Sequence, residues 1–297
     1  MDIVGAFACS HAGFLISDYE RAEPVARERV YDGFARMRDT IKRVNPDALV
    51  VIATDHGRIY PLNHQPQYVI GVGSPAHGIG DAGLPECEVP VHQQLARLVL
   101  EGCIAGGIDL AYSEAVSIDH SFVTPLMLST PDLDVPIVPI VQNTRMPPMP
   151  TLQRSYTVGR ILGTVLRQSP PGKVVVMGTG GLSHWVGSEA RRGFLRQPAG
   201  TRYGHEQEFP LVLPERGAIN EQFDVAFLEA LSRGAAREFI REWSNDRLEA
   251  EAGNGALEIR NWLTIAGVTD DAPLDVLGYA AVPEWHTGAA VAQFRVS

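Results

Sequence analysis

Five short apolar runs punctuate the chain, at residues 3–9, 48–54, 69–72, 135–141 and 173–178. Each is rich in Val and Ile, shows no polar alternation and ends in turn-forming or polar residues, as a strand buried on both faces of a sheet does. A charged stretch at 20–44 separates the first two, with Val25, Val30, Phe34, Met37 and Ile41 recurring at helix-like spacing. Asn45-Pro46-Asp47 stops that helix, because the residue before a proline is driven out of the α region. Strand, helix, strand at this spacing predicts a right-handed βαβ unit in a parallel sheet. Further helices are predicted at 91–105 and 155–166, the second as the crossover into the run at 173–178.

Beyond residue 191 the pattern changes. Residues 191–214 mix Gly, Pro, Arg and aromatics and are expected to form a long loop-rich excursion. Helices are then predicted at 220–232, 235–242 and 257–265, and a closing pair of strands at 277–282 and 289–296 around Pro283-Glu284-Trp285. There is no repeat, low-complexity tract or linker. Residues 1–297 are therefore expected to form a single α/β domain, a central mostly parallel sheet flanked by helices.

Composition narrows the class. At 297 residues, 45% hydrophobic and 20% charged, the chain can bury a sizeable core. With 25 basic against 35 acidic residues its net charge is −10, which argues against nucleic-acid and anionic-membrane partners. Three cysteines are no disulfide framework and suit a reducing compartment. No apolar run approaches the roughly 20 residues that span a bilayer, and no basic region precedes an apolar stretch at the start. A cytoplasmic location is expected.

Three of the nine histidines share one position: His11, His56 and His184 each follow a predicted strand. In an open parallel sheet ligands bind just outside the carboxyl ends of the strands, so a site is expected there. The plain alternative is that each imidazole bonds a neighbouring loop. Asp55 precedes His56 and Asp119 precedes His120, carboxylates suited to orienting an imidazole through its second nitrogen or to simple turn chemistry. Gly180-Gly181 permits close backbone approach to a ligand. Glu258, beside Leu257 and Ile259 and one turn from Trp262, is buried if its helix packs, and a buried carboxylate needs a cation. Otherwise it complements a helix dipole. Two imidazoles and a carboxylate make the facial triad of non-haem Fe(II) oxygenases, but zinc accepts the same set. The residues by themselves reach a metal-dependent α/β enzyme.

Ser10-His11, Thr54-Asp55-His56, Asp119-His120-Ser121-Phe122, Gly180-Gly181-Leu182-Ser183-His184 and Glu258-Ile259-Arg260-Asn261-Trp262 carry a resemblance. In this order and at similar spacing they resemble the class III extradiol ring-cleaving dioxygenases, the superfamily of the protocatechuate 4,5-dioxygenase catalytic subunit, over nearly the whole chain. Within it the chain looks most like the 2,3-dihydroxyphenylpropionate 1,2-dioxygenases. That rests on Ala252-Gly253 with Glu258-Ile259 and Trp262, on Asn220-Glu221-Gln222-Phe223, and on Tyr279 through Pro283-Glu284-Trp285.

The resemblance implies Fe(II) held by His11, His56 and Glu258, with His120 and His184 as the acid–base pair over a catechol that is opened with O2. It implies His184 as the base that helps ionise the catechol and His120 as the acid of the later ring-opening steps. Asp55, Asp119, Trp185 and Gly181 are expected beside the substrate. His11 is followed by Ala12-Gly13-Phe14 where the propionate enzymes carry a Ser-Pro-Leu type of segment, and Trp185 stands where they carry Gln. Both departures bear on the ring substituent. Arg191, Arg192, Arg196 and Arg202 are candidates to pair with a substrate carboxylate. The other substrates of the same fold are protocatechuate, gallate or an aminophenol, with a small lid subunit as a possible requirement. A metal-binding protein without oxygenase activity is the remaining class. A homo-oligomer is expected.

Overall fold

The computed structural model describes residues 1–60, 64–185 and 219–296. The chain opens with β1 (Asp2–Cys9), turns through α1 (Phe14–Ser17) and crosses by α2 (Pro24–Val44) to β2 (Ala48–Ala53). Then follow β3 (Tyr68–Gly71), β4 (Ala76–Ile79), β5 (Glu86–Val89), α3 (Gln93–Ala105), β6 (Ala111–Ser113) and β7 (Ser117–Ile118). α4 (His120–Ser129), β8 (Ile137–Gln142), α5 (Leu152–Gln168) and β9 (Lys173–Thr179) come next. After residue 218 the helices Glu221–Ser232, Ala236–Glu242, Asn245–Ala252 and Ile259–Val268 lead to β10 (Leu274–Val282) and β11 (Thr287–Phe294).

The large sheet has the order β10-β11-β1-β9-β2-β8-β3-β6. Its centre, β1-β9-β2-β8, is parallel, with β11 and β3 antiparallel on either side. Every residue of β2 and β8 is buried, which is why those runs show no polar alternation. The expected mostly parallel α/β architecture is the one observed.

Helices cover both faces. Gly33 of α2 packs against Val291, which pairs with Cys9, whereas Gly178 packs against the helix Ile259–Val268 and pairs with Ala8. Successive residues of a strand point to opposite faces, so the two helices lie on opposite sides of the sheet. At Gly178 a side chain would run into the Asn261 backbone, so glycine is what allows this helix so near β9.

α2 shows how far local pattern reached. Glu23 accepts a hydrogen bond from the Ala26 N–H at 2.9 Å and Pro24 occupies the first turn, so the helix starts there rather than at residue 20. Val30, Phe34, Met37 and Ile41 are buried, but Val25 is 60% exposed because it sits before the helix reaches the sheet. Asn45, in the left-handed region at φ 45°, ends the helix.

Several elements fall outside the expected pattern, the short α1 and β6 among them. A small sheet, β5-β4-β7, flanks the site; its strands are short, and His77, Glu86 and Glu88 point to solvent. α4 is buried nearly all round and carries Pro125, so it presents no amphipathic stripe. The helix Asn245–Ala252 buries only Leu248 and Ala252.

Candidate active site

The strands β1, β9 and β2 are neighbours in the sheet, so the residues that follow them emerge side by side. His11 follows β1, His56 follows β2, and His184 lies five residues beyond β9. Glu258 joins them from across the fold, at the end of the short turn Ala256–Glu258 that leads into Ile259–Val268. That helix is held against the end of β9 by its own polar residues. The Asn261 amide donates to the Thr179 carbonyl at 2.7 Å and the Trp262 indole to the Gly180 carbonyl at 3.0 Å. Gln142 in turn donates to Asn261 at 3.0 Å.

One ligand atom each from His11, His56 and Glu258 lies within 4.8 Å of the other two. Glu258 Oε2 stands 3.1 Å from His11 Nε2, and Oε1 stands 3.2 Å from His56 Nε2. Three donors about 2.1 Å from one octahedral ion, on one face of it, stand about 3 Å apart.

Hydrogen bonds fix what each atom offers. Thr179 Oγ1 donates to the Ser121 carbonyl at 2.8 Å, so toward His11 Nδ1, 3.0 Å away, it can only accept. His11 therefore carries its proton on Nδ1 and a lone pair on Nε2. His56 Nδ1 donates to Asp119 Oδ2 at 3.0 Å, which likewise turns its Nε2 lone pair inward. Two lone pairs thus face a carboxylate, an arrangement that repels itself unless a cation or a proton lies between. His11 Nε2 is buried and, among the described residues, has no well-aligned hydrogen-bond partner, although Glu258 Oε2 stands 3.1 Å away. The donor set and its geometry fit a divalent metal.

Electrostatics agree. Burial pulls the His56 imidazole down, but the carboxylates of Asp119 and Glu258 outweigh it and push the pKa up to about 10. Burial lowers that of His11, partly offset by Glu258. For Glu258 burial works upward, yet His11, His56 and His184 hold it well below the usual carboxylate range. Without metal, a proton on His56 fills the role of the cation.

His184 completes the floor. Its Nδ1 donates to the Leu182 carbonyl at 2.9 Å, and its Nε2 is 3.8 Å from Glu258 Oε2. Backbone bonds to Ala252 and Gly255 clamp residue 184 from both sides, and Gly255 leaves room for the ring. His120 stacks on His56 with ring centres 4.0 Å apart, so all five expected residues meet in one place. His120 Nδ1 is 2.5 Å from Asp81 Oδ2, a carboxylate absent from the sequence reading. Its only sequence signal is the Gly80-Asp81-Ala82-Gly83 turn after a weak strand.

Asp119 takes up the orienting role for His56, 63 positions away, and not for its neighbour His120. Oδ2 accepts both the backbone and ring N–H groups of His56, while Oδ1 caps α4 through the Ser121 N–H. Burial works to raise its pKa, but His56 and His120 hold it far below the usual range. Asp55 has the turn chemistry instead: its carboxylate accepts the N–H groups of Arg58, Ile59 and Tyr60 at 2.8–3.0 Å. Gly181 donates its N–H to Glu258 Oε2 at 3.0 Å, and Trp185 is half-buried with Gly253 beneath it. His64 and His77 are exposed, and His92 caps α3. His286 stands against Phe14, ring centres 5.8 Å apart. Arg191, Arg192, Arg196, Arg202 and His205 lie outside the described residues.

A mostly parallel α/β sheet with imidazoles and a carboxylate gathered at its carboxyl ends is an enzyme architecture of the open-sheet kind, with a group of side chains that could hold a metal ion. The chain belongs to the family described as the catalytic LigB subunit of aromatic ring-opening dioxygenase, whose sequence profile matches residues 5–292. It is 28% identical to the 2,3-dihydroxyphenylpropionate/2,3-dihydroxicinnamic acid 1,2-dioxygenase of Cupriavidus pinatubonensis, over 93% of this chain and 90% of that one. Identity to the protein of the same name from Escherichia coli O139:H28 is 30%, over 86% of this chain and 87% of that one. Among solved structures, the uncharacterized protein JW3007 from Escherichia coli K12 shares the fold, with a TM-score of 0.53 and 14% identity over 98% of this chain and all of that one. Among the described residues no helix is long and apolar enough to cross a membrane.

Proposed function

We propose that this chain is an Fe(II)-dependent extradiol dioxygenase that opens the ring of a side-chain-bearing catechol beside its hydroxyls, inserting both atoms of O2. The observation that carries the reading is the convergence of the His11 and His56 Nε2 lone pairs and the Glu258 carboxylate on one buried position. His120 and His184 flank that position, with their Nδ1 atoms engaged by Asp81 and the Leu182 carbonyl. The relatives named for 2,3-dihydroxyphenylpropionate support a catechol carrying a short acidic chain.

His11, His56 and Glu258 would hold the metal. Bound Fe(II) would supply a Lewis acid for the two catechol oxygens and an electron relay that lets triplet O2 react with a singlet ring. The chain's own residues do the rest. His184, with its Nδ1–H on the Leu182 carbonyl, presents Nε2 as the atom that accepts a catechol hydroxyl proton. His120, held through Nδ1, takes up a proton at Nε2 and gives that same proton back to the substrate when the ring opens. Burial of His11, His184 and Glu258 at 3%, 8% and 2% exposure keeps bulk water from the reacting atoms. The product expected is of the 2-hydroxymuconic semialdehyde type. We take residues 1–297 as one catalytic domain, active in the cytoplasm as a homo-oligomer, with a small lid subunit required only under the protocatechuate or gallate reading.

Reconstitution with Fe(II) under anaerobic conditions, then oxygen uptake with 3-alkyl, 3-carboxyalkyl, protocatechuate and gallate substrates, tests this. Iron-dependent uptake with a yellow product from the 3-carboxyalkyl catechol is expected, with a zinc-loaded control inactive. Uptake only with protocatechuate or gallate would move the substrate. An iron-loaded but silent protein would favour the non-oxygenase class.

A further inference from the structure

We propose that Asp81 is a positioning residue for His120, deciding which imidazole nitrogen meets the substrate; this rests on His120 being the acid of the site. The small sheet makes the contact. β4 and β7 run parallel, with Gly78 beside Ile118, so the turn after β4 and the start of α4 leave the sheet together. Asp81 then grips His120 twice. Oδ1 accepts the backbone N–H at 2.8 Å and Oδ2 accepts the ring Nδ1–H at 2.5 Å.

The turn is built around that grip. Gly80, Ala82 and Gly83 all have positive φ (69°, 53° and 79°), and Ala82 adopts it without being glycine. A closing bond runs from the Leu84 N–H to the Asp81 carbonyl at 3.0 Å. Ala82 fills the space beside Gly13, so the same turn is wedged against the segment that follows His11. A costly conformation held from both sides points to a function for what it presents. The side chains of Asp81 and His120 are only 12% and 15% exposed.

The arrangement repeats the one that orients His56. There Asp119 Oδ2 also takes a backbone N–H and a ring Nδ1–H, at 2.9 and 3.0 Å. His56 and His120 are thus two stacked imidazoles, 24° from coplanar, each with its own carboxylate behind Nδ1. With Nδ1 committed, Nε2 is the single nitrogen of His120 that exchanges a proton with a ligand. Loss of the Asp81 carboxylate frees the ring to turn or change tautomer, and the proton is then carried on the wrong atom.

The test compares His120→Ala, Asp81→Asn, Asp81→Ala and the double variant Asp81→Asn/His120→Ala, all iron-loaded. Turnover by His120→Ala is read first; wild-type kcat there would refute the role given to His120 itself. With that role standing, Asp81→Asn and Asp81→Ala are expected to lose about 10- to 100-fold in kcat, with KM and iron content held within about threefold. The double variant is expected to be no slower than His120→Ala, because Asp81 acts only through that ring. Nitrogen-15 NMR of the zinc-loaded protein should show His120 protonated at Nδ1 in the wild type and not uniformly so in Asp81→Asn. Unchanged kcat overturns the proposal. So does a double variant slower than His120→Ala by the full Asp81 factor, or a loss of iron and melting temperature that accounts for the lost turnover.

Discussion

His11 donates its Nδ1 proton to the hydroxyl of Thr179, the last residue of β9, 168 positions away and 3.0 Å distant. That hydroxyl donates its own hydrogen bond to the Ser121 carbonyl at 2.8 Å, so it has no choice but to accept from His11. One threonine thereby sets the tautomer of a proposed metal ligand from the strand next door. Replacing Thr179 by Val keeps the volume and removes the acceptor. Metal affinity is expected to fall about 10- to 100-fold with little change in fold. Equilibrium dialysis against Fe(II) measures it, and an unaltered affinity would show that His11 needs no such partner.

Gly255 lies under His184, and a Cβ there would overlap the imidazole ring. Gly255→Ala keeps the three proposed ligand side chains and the Gly255 carbonyl that accepts the Glu258 N–H at 3.0 Å. It should leave one metal equivalent bound while kcat drops by about 10²-fold, as expected when a catalytic group is displaced by an ångström. Turnover equal to wild type would mean that the ring is not needed where it stands.

The metal-free site stores a proton. His56, pushed up to about 10 by Asp119 and Glu258, is charged at neutral pH, whereas its unfolded reference is 6.5. A raised histidine contributes stability that is complete below the reference value and is lost as pH rises through the folded one. Metal must displace that proton. Metal affinity is therefore expected to climb about tenfold per pH unit between pH 7 and 9, with about one proton released per ion. Calorimetry in buffers of different ionisation enthalpy counts the proton. A pH-independent affinity over that window would contradict a charged His56.

Much of this arrangement was legible in the amino-acid order. Buried parallel strands announce themselves as unalternating Val and Ile runs, and His11, His56 and His184 follow the carboxyl ends of three of them. Glu258 was different. It reaches the site because Asn261 and Trp262 tie a helix to the end of β9, a long-range contact that no local period encodes. Asp81 was illegible for a related reason. β4 and β7 are four and two residues long and half exposed, so they give no hydrophobic signal, and their pairing joins positions 40 apart. Asp55 and Asp119 look alike in the sequence, each preceding a histidine, yet only the fold decides that one holds a loop and the other holds an imidazole.

Asp224 offers a check on the other side of His184. Its buried carboxylate accepts the Ser183 N–H at 2.7 Å and the Tyr279 hydroxyl at 3.0 Å. Burial nevertheless raises its pKa from 3.8 to about 6. The folded protein then holds a proton between pH 4 and 6 that the unfolded chain has released, so this group's contribution to stability falls as pH rises through that window. Asp224→Asn removes the slope. Relative to wild type the variant should gain on the order of 2 kcal/mol between pH 4 and 7. Urea unfolding at both pH values measures the difference, and a constant offset would rule the shift out.

His11, His56 and Glu258 are proposed as the three ligands of one Fe(II) ion. Anaerobic iron titration of the wild type beside Glu258→Gln tests that assignment most directly, because the substitution keeps the shape and removes the charge between the two imidazoles. One tightly held equivalent in the wild type, and affinity lower by at least about 10²-fold in the variant, is the predicted result. A full equivalent retained by Glu258→Gln with wild-type affinity would place the third ligand elsewhere and contradict the account.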